Sequence, residues 1–197
     1  MSTRTGPVAA SVLVLVLVLA LAAACSSEGE APPVPTPKGF DVPAGVTLTQ
    51  PGTSLALGKP ATVVLDLGDG AASAVTVIVD EVRKGTLKDF RFFSLDEQSS
   101  TATPYYVDLT VRNDGPAGLG GSSLPVLAHS SAETVYPASE LVGDFEPCPS
   151  SALPGRFLSG ASATLCFIYL VPKGETLRTI DLQPSDASSA VRWKASS

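Results

Sequence analysis

Tyr105, Val107, Leu109 and Val111 alternate along the chain with Tyr106, Asp108, Thr110 and Arg112. Successive side chains of an extended backbone point to opposite faces. Strict period two over β-branched and aromatic residues therefore predicts a half-buried β-strand. Asn113-Asp114-Gly115-Pro116 ends the run with turn-forming residues. The same pattern recurs along the chain. Ala61 to Leu67 sets Val63, Leu65 and Leu67 against Thr62, Val64 and Asp66, and Gly68-Asp69-Gly70 follows as a turn. Val75, Val77 and Val79 share one phase, but Val82 falls in the other. A bulge at Asp80-Glu81 would restore the register.

Thr164 to Val171 is apolar on both faces, which predicts a central, well-covered strand that Pro172-Lys173-Gly174 stops. Leu177 to Leu182 and Ala190 to Lys194 supply two closing strands, with Val191 and Trp193 pointing one way. Weaker strand candidates are Ser54 to Leu57, Lys88 to Phe93, Leu124 to His129 and Glu133 to Tyr136. No window of eleven or more residues after Gly39 keeps the 3.6-residue period of a helix. The fold class is therefore all-β, an antiparallel β-sandwich of about seven to ten short strands.

The N-terminus follows different rules. Val12 to Ala24 is a run of thirteen residues without a polar side chain, after a segment whose one charged side chain is Arg4. That is short for a membrane-spanning helix, which needs about 18 or more apolar residues. It matches the apolar region of an export signal. The run ends in Leu21-Ala22-Ala23-Ala24-Cys25, similar to the bacterial lipobox, whose cysteine receives a diacylglyceryl group and becomes the new N-terminus. The usual leucine three residues before the cysteine is here Ala22. Ser26 to Lys38 contains Pro32, Pro33, Pro35 and Pro37 and one branched aliphatic residue, Val34. Such a stretch cannot bury enough apolar surface to fold and is expected to be a disordered or polyproline spacer. The expected organisation is a signal peptide over 1–24, lipidated Cys25 with its tether over 25–39, and one sandwich domain over 40–197.

Cys25 leaves Cys148 and Cys166, 18 residues apart. Export places them in an oxidising compartment, where a structural disulfide is the leading expectation. A reactive thiol or metal-ligand role is the alternative, although neither has a CxxC neighbour and His129, the sole histidine, is far off in sequence.

The formal charge is −6, and it becomes −7 once the leader and its Arg4 are removed. An acidic balance disfavours nucleic acid, whose phosphates demand a basic patch. One histidine excludes sites needing two imidazoles, including most zinc catalysis. His129 precedes Ser130 and Ser131, but no G-x-S-x-G elbow or other nucleophile signature accompanies them. Asp66-Leu67-Gly68-Asp69-Gly70 lacks the spacing and distal glutamate of an EF-hand and is expected to be a turn. No catalytic residue, metal site or cofactor is expected. Loops on rigid sandwiches often carry recognition. Candidate ligand surfaces are therefore Phe90, Arg91, Phe92 and Phe93, and the connections Asn113 to Ser123 and Asp144 to Phe157.

Taken in order, the chain shows the leader and lipobox, the Pro-rich spacer, Ala74-Val75-Thr76-Val77, Pro104-Tyr105-Tyr106-Val107 and Val111-Arg112-Asn113. Then come Cys148, Leu158-Ser159-Gly160, Cys166-Phe167, Val171-Pro172 and Val191-Arg192-Trp193. This resembles the immunoglobulin-like extracellular lipoproteins of actinobacteria, most of which are of unknown function. The resemblance covers most of Leu55 to Lys194. It implies an immunoglobulin-like fold and a Cys148–Cys166 bridge, and it offers no catalytic residues to carry over. The expected function is a lipid-anchored, non-enzymatic binding or interaction module at the extracellular side of the cell membrane. Its partners would be the membrane, through diacylglyceryl-Cys25, and an envelope protein or small ligand. The alternatives are an accessory subunit of a membrane complex and, less favoured, an extracellular hydrolase.

Overall fold

The structure is a computed structural model, described here over residues 1–3, 32–68 and 71–195. The chain divides into two units, Met1–Pro33 and Val34–Ser197. Cys25 and the apolar leader lie outside the described residues. The described residues of the second unit carry nine strands: β1 Ser54–Leu55, β2 Pro60–Asp66, β3 Ala72–Lys84, β4 Thr103–Asn113, β5 Val126–Ser130, β6 Val135–Pro137, β7 Ser162–Val171, β8 Leu177–Leu182 and β9 Val191–Lys194.

They form two sheets, ordered β1-β9-β8-β5-β6 and β2-β3-β4-β7, packed together as the expected β-sandwich. Every neighbouring pair is antiparallel except β1 with β9, which is parallel. The register of β3 against β4 shifts between Val79 and Glu81, so the bulge stands where the broken alternation placed it. The first hairpin closes with Leu67 N–H on the Ala71 carbonyl at 2.9 Å.

The interior follows from the alternation. Val63 and Leu65 of β2, Val75, Val77 and Val79 of β3, and Val107, Leu109 and Val111 of β4 meet Val126, Ala128, Ile180, Leu182, Val191 and Trp193 of the facing sheet. Two polar side chains in this interior are partnered, as buried polar groups must be. Tyr169 of β7 donates its hydroxyl to the Val126 carbonyl of β5 at 2.9 Å, a bond between the two sheets. Burial raises the Tyr169 phenol above its ordinary range. Trp193 Nε1–H donates to the Lys59 carbonyl, just before β2, at 2.8 Å.

Two expectations are corrected. The first concerns β7, which is an edge strand of its sheet rather than a central one. Its inner face carries Leu165, Phe167, Tyr169 and Val171 into the main core. Its outer face carries Cys166 and Ile168 into a second, smaller apolar cluster with Phe90, Tyr106, Phe145 and Cys148. Both faces are therefore covered, and an irregular segment covers part of the edge. Cys166 N–H donates to the Ser150 carbonyl at 2.6 Å, and Ser139 N–H donates to the Ile168 carbonyl at 2.7 Å. An apolar run on both faces reports coverage, and coverage here comes from a loop.

The second correction is Lys88 to Phe93, which is not a strand. Leu87–Phe90 form a short 3-10 turn. The Asp89 carboxylate accepts from Thr86 N–H at 2.9 Å, which closes the chain locally before any ladder can form. The weak candidates elsewhere survive as the short strands β1, β5 and β6.

Candidate functional site

The four residues Phe90, Arg91, Phe92 and Phe93 separate into two inward and two outward. Phe90 is buried, and Phe93 packs at the edge of the second cluster. Phe90 lies 4.8 Å from Phe145 and 6.4 Å from Tyr106 between ring centroids, and Phe93 meets Phe145 edge-on at 5.5 Å. Such spacings suit aromatic pairs, whose ring quadrupoles favour offset and edge contacts. Arg91 and Phe92 remain on the surface. Phe92 is 82% exposed, with the Arg91 guanidinium carbon 4.4 Å from its ring centroid. Of the predicted surface, then, two residues build a cap and two are displayed by it.

Cys148 and Cys166 are joined as a disulfide with a Cα–Cα distance of 5.2 Å. The bridge fastens the connection between β6 and β7 to the outer face of β7, beside the aromatic cap. Arg83 on β3 makes two bonds to Asp108, Nε to Oδ2 at 2.7 Å and Nη2 to Oδ1 at 3.2 Å. Nη2 also reaches the Pro147 carbonyl at 3.2 Å. This Asp108 hydrogen bond raises the Arg83 pKa further. The Asp89 carboxyl is held below the usual carboxylate range by Thr86 N–H and then by the Tyr106 hydroxyl, which donates to Oδ2 at 2.8 Å. The cap is thus pinned by one disulfide, a two-pronged ion pair and a phenol–carboxylate bond.

His129 faces outward from β5 toward Asp181 of β8, with Nε2 3.3 Å from Oδ2. Asp181 is fully buried, and it accepts from Arg192 Nε at 2.9 Å and Thr179 Oγ1 at 2.7 Å. Among the described residues His129 Nε2 has no hydrogen-bond partner. The Ser130 and Ser131 hydroxyl oxygens accept from the N–H groups of Ala132 and Thr176 respectively. The serine–imidazole contact of a nucleophilic triad is not formed among the described residues.

The Asn113 to Ser123 connection is held from within. Asn113 is buried, and its side chain bonds Ser73, Gly115, Ala117 and Phe157. Gly115 lies so close to Ser73 and the Ala74 backbone that any Cβ there would collide with them. Both this connection and its neighbour from Asp144 to Phe157 contribute buried residues, Leu119, Phe145, Leu153 and Phe157. Much of these two candidate surfaces is therefore packed structure.

One feature has no signature in the sequence. Val34 and Pro37, inside the expected tether, are half-buried. With Pro35 and Thr36 they wall a cleft of about 390 Å³. Its other sides come from β2 and from the β8–β9 connection, through Val64, Asp66, Pro184 and Asp186. Proline-rich composition signals an extended chain and gives no sign that the chain lies against a domain. Comparison with known protein families, with curated proteins and with solved structures found no match for this chain in any of the three.

Proposed function

We propose that this chain is a lipid-anchored protein of the cell envelope, a non-enzymatic interaction module held on the extracellular side of the membrane through diacylglyceryl-Cys25. The observation that carries this reading is Ala22-Ala23-Ala24-Cys25 at the end of the apolar run Val12 to Ala24. Diacylation supplies enough buried methylene, at about 0.8 kcal/mol each, to hold a protein at a membrane. The Cys148–Cys166 disulfide supports the same compartment, because such bonds persist where the environment is oxidising. The module part of the reading draws on a rigid sandwich with pinned connections, an architecture that presents binding surfaces.

The test is Cys25→Ala in a host that exports the chain. The substituted protein should move from the membrane to the soluble fraction, and mass spectrometry of the parent's N-terminal peptide should show the acyl chains. Persistence of the Cys25→Ala protein in the membrane fraction would overturn the anchor.

A further inference from the structure

β2 is an edge strand, and its free edge is only partly covered. At Thr62 it is paired: the Thr62 N–H donates to Thr49 Oγ1 at 2.9 Å, and the Thr62 carbonyl accepts from Thr49 N–H at 2.8 Å. In an antiparallel ladder the backbone groups of alternate residues face alternate sides. The N–H and C=O of Val64 and Asp66 therefore face the same way as those of Thr62. Among the described residues no segment pairs with that stretch, and it opens into the cleft walled by Val34–Pro37.

The chemistry of the cleft narrows what can enter. Val34, Pro37, Pro51 and Pro184 give it apolar sides. Pro35 and Pro37 have no N–H to offer, so that wall packs and cannot donate to a ladder. Asp66 and Asp186 stand exposed at the rim, and no lysine or arginine pairs with either among the described residues. The Ser188 hydroxyl and N–H hold the Asp186 carboxyl below its usual range, so it stays ionised.

We propose that this cleft takes an extended basic peptide segment of a partner protein, which adds as a strand to the Val64–Asp66 edge of β2 and sets its cationic side chains against Asp66 and Asp186. The proposal rests on the reading of this chain as an interaction module. Strand addition satisfies an open edge through main-chain bonds and gains selectivity from side-chain pockets. The acidic rim and the net negative charge of the chain favour a cationic partner. They also oppose a second copy, whose own Asp66 and Asp186 would meet like charge.

The test uses the full lipidated chain in nanodiscs and fluorescence anisotropy of a labelled, end-blocked peptide, Lys-Val-Thr-Val-Lys. Saturable binding is expected. It should weaken about tenfold or more when both lysines become glutamate, and again when the central backbone nitrogens are methylated. Asp66→Asn with Asp186→Asn should erase the preference for lysine over glutamate. Asparagine keeps the acceptor for Gly68 N–H and the cap of the Ala187–Ser189 turn, so the fold is spared. Val64→Pro removes the outward N–H at an edge position that tolerates proline, and should weaken binding. The proposal is overturned by no saturable binding, by equal binding of the acidic or methylated peptide, or by a concentration-dependent dimer lost on Val64→Pro. Fractionation of Cys25→Ala reports on the anchor alone, so either reading can fail without the other.

Discussion

Asn113→Ala should be among the most destabilising single substitutions in the domain. Asn113 is fully buried at the end of β4. Its Oδ1 accepts from Ser73 Oγ at 2.7 Å and Gly115 N–H at 3.1 Å, and its Nδ2 donates to the carbonyls of Ala117 at 2.7 Å and Phe157 at 3.2 Å. One amide thus ties β3, the turn after β4 and the segment before β7. Alanine deletes all four bonds. The Phe157 carbonyl still accepts from Leu119 N–H at 2.9 Å, while the Ser73 hydroxyl and the Gly115 N–H lose a buried partner and the Ala117 carbonyl a half-buried one. At about 1 kcal/mol each, with the cost of buried unpaired groups on top, the loss is about 3–4 kcal/mol. That is a large share of the roughly 5–15 kcal/mol that holds a domain folded. Urea unfolding followed through the fluorescence of Trp193, the sole tryptophan and fully buried, reads the loss directly. The midpoint should fall with the slope unchanged. Asn113→Asp should cost more than alanine at neutral pH, since it turns an anionic oxygen toward two carbonyls. A loss below about 1 kcal/mol for alanine, or better tolerance of aspartate, would refute the account.

Two further outcomes follow from the pinned cap. Replacing Cys148 and Cys166 together by serine opens an 18-residue loop and should cost about 3 kcal/mol in the chain-entropy account; an unchanged urea midpoint would show that the bridge does not constrain the unfolded chain. The second concerns acid. Asp89 has a depressed pKa, so its contribution is present above the carboxylate range and is lost as pH falls through its folded value. Near-ultraviolet circular dichroism of the cap should therefore hold through the ordinary carboxylate range and weaken only on further acidification, and Asp89→Asn should flatten that dependence; identical acid profiles for parent and variant would count against it.

Most of the fold was legible in the sequence because alternation and turn chemistry are local. β4 could be read from Tyr105 to Arg112 and the β3 bulge from the phase change at Asp80-Glu81. The cysteine pairing followed once Cys25 was assigned elsewhere, leaving one intramolecular bridge to make. The candidate surface was only half legible. Phe90 and Phe93 are indistinguishable from Phe92 by composition. What separates them is Phe145, some fifty residues further on, which offers two of the three rings a partner.

The cleft was not legible at all. Val34 to Pro37 carries no periodicity, and the cleft it shares with β2 and the β8–β9 connection brings together segments about thirty and one hundred and fifty residues apart in the chain. The edge position of β7 was hidden for a related reason. Sequence alone determined which stretches are extended, where they turn and which side chains share a face, since those properties are set by covalent geometry within a few residues. Tertiary structure alone decided which strand lies beside which, which outer face receives a second layer and which edge stays open. Those depend on packing free energy summed over contacts distant in sequence, and no local pattern encodes that sum.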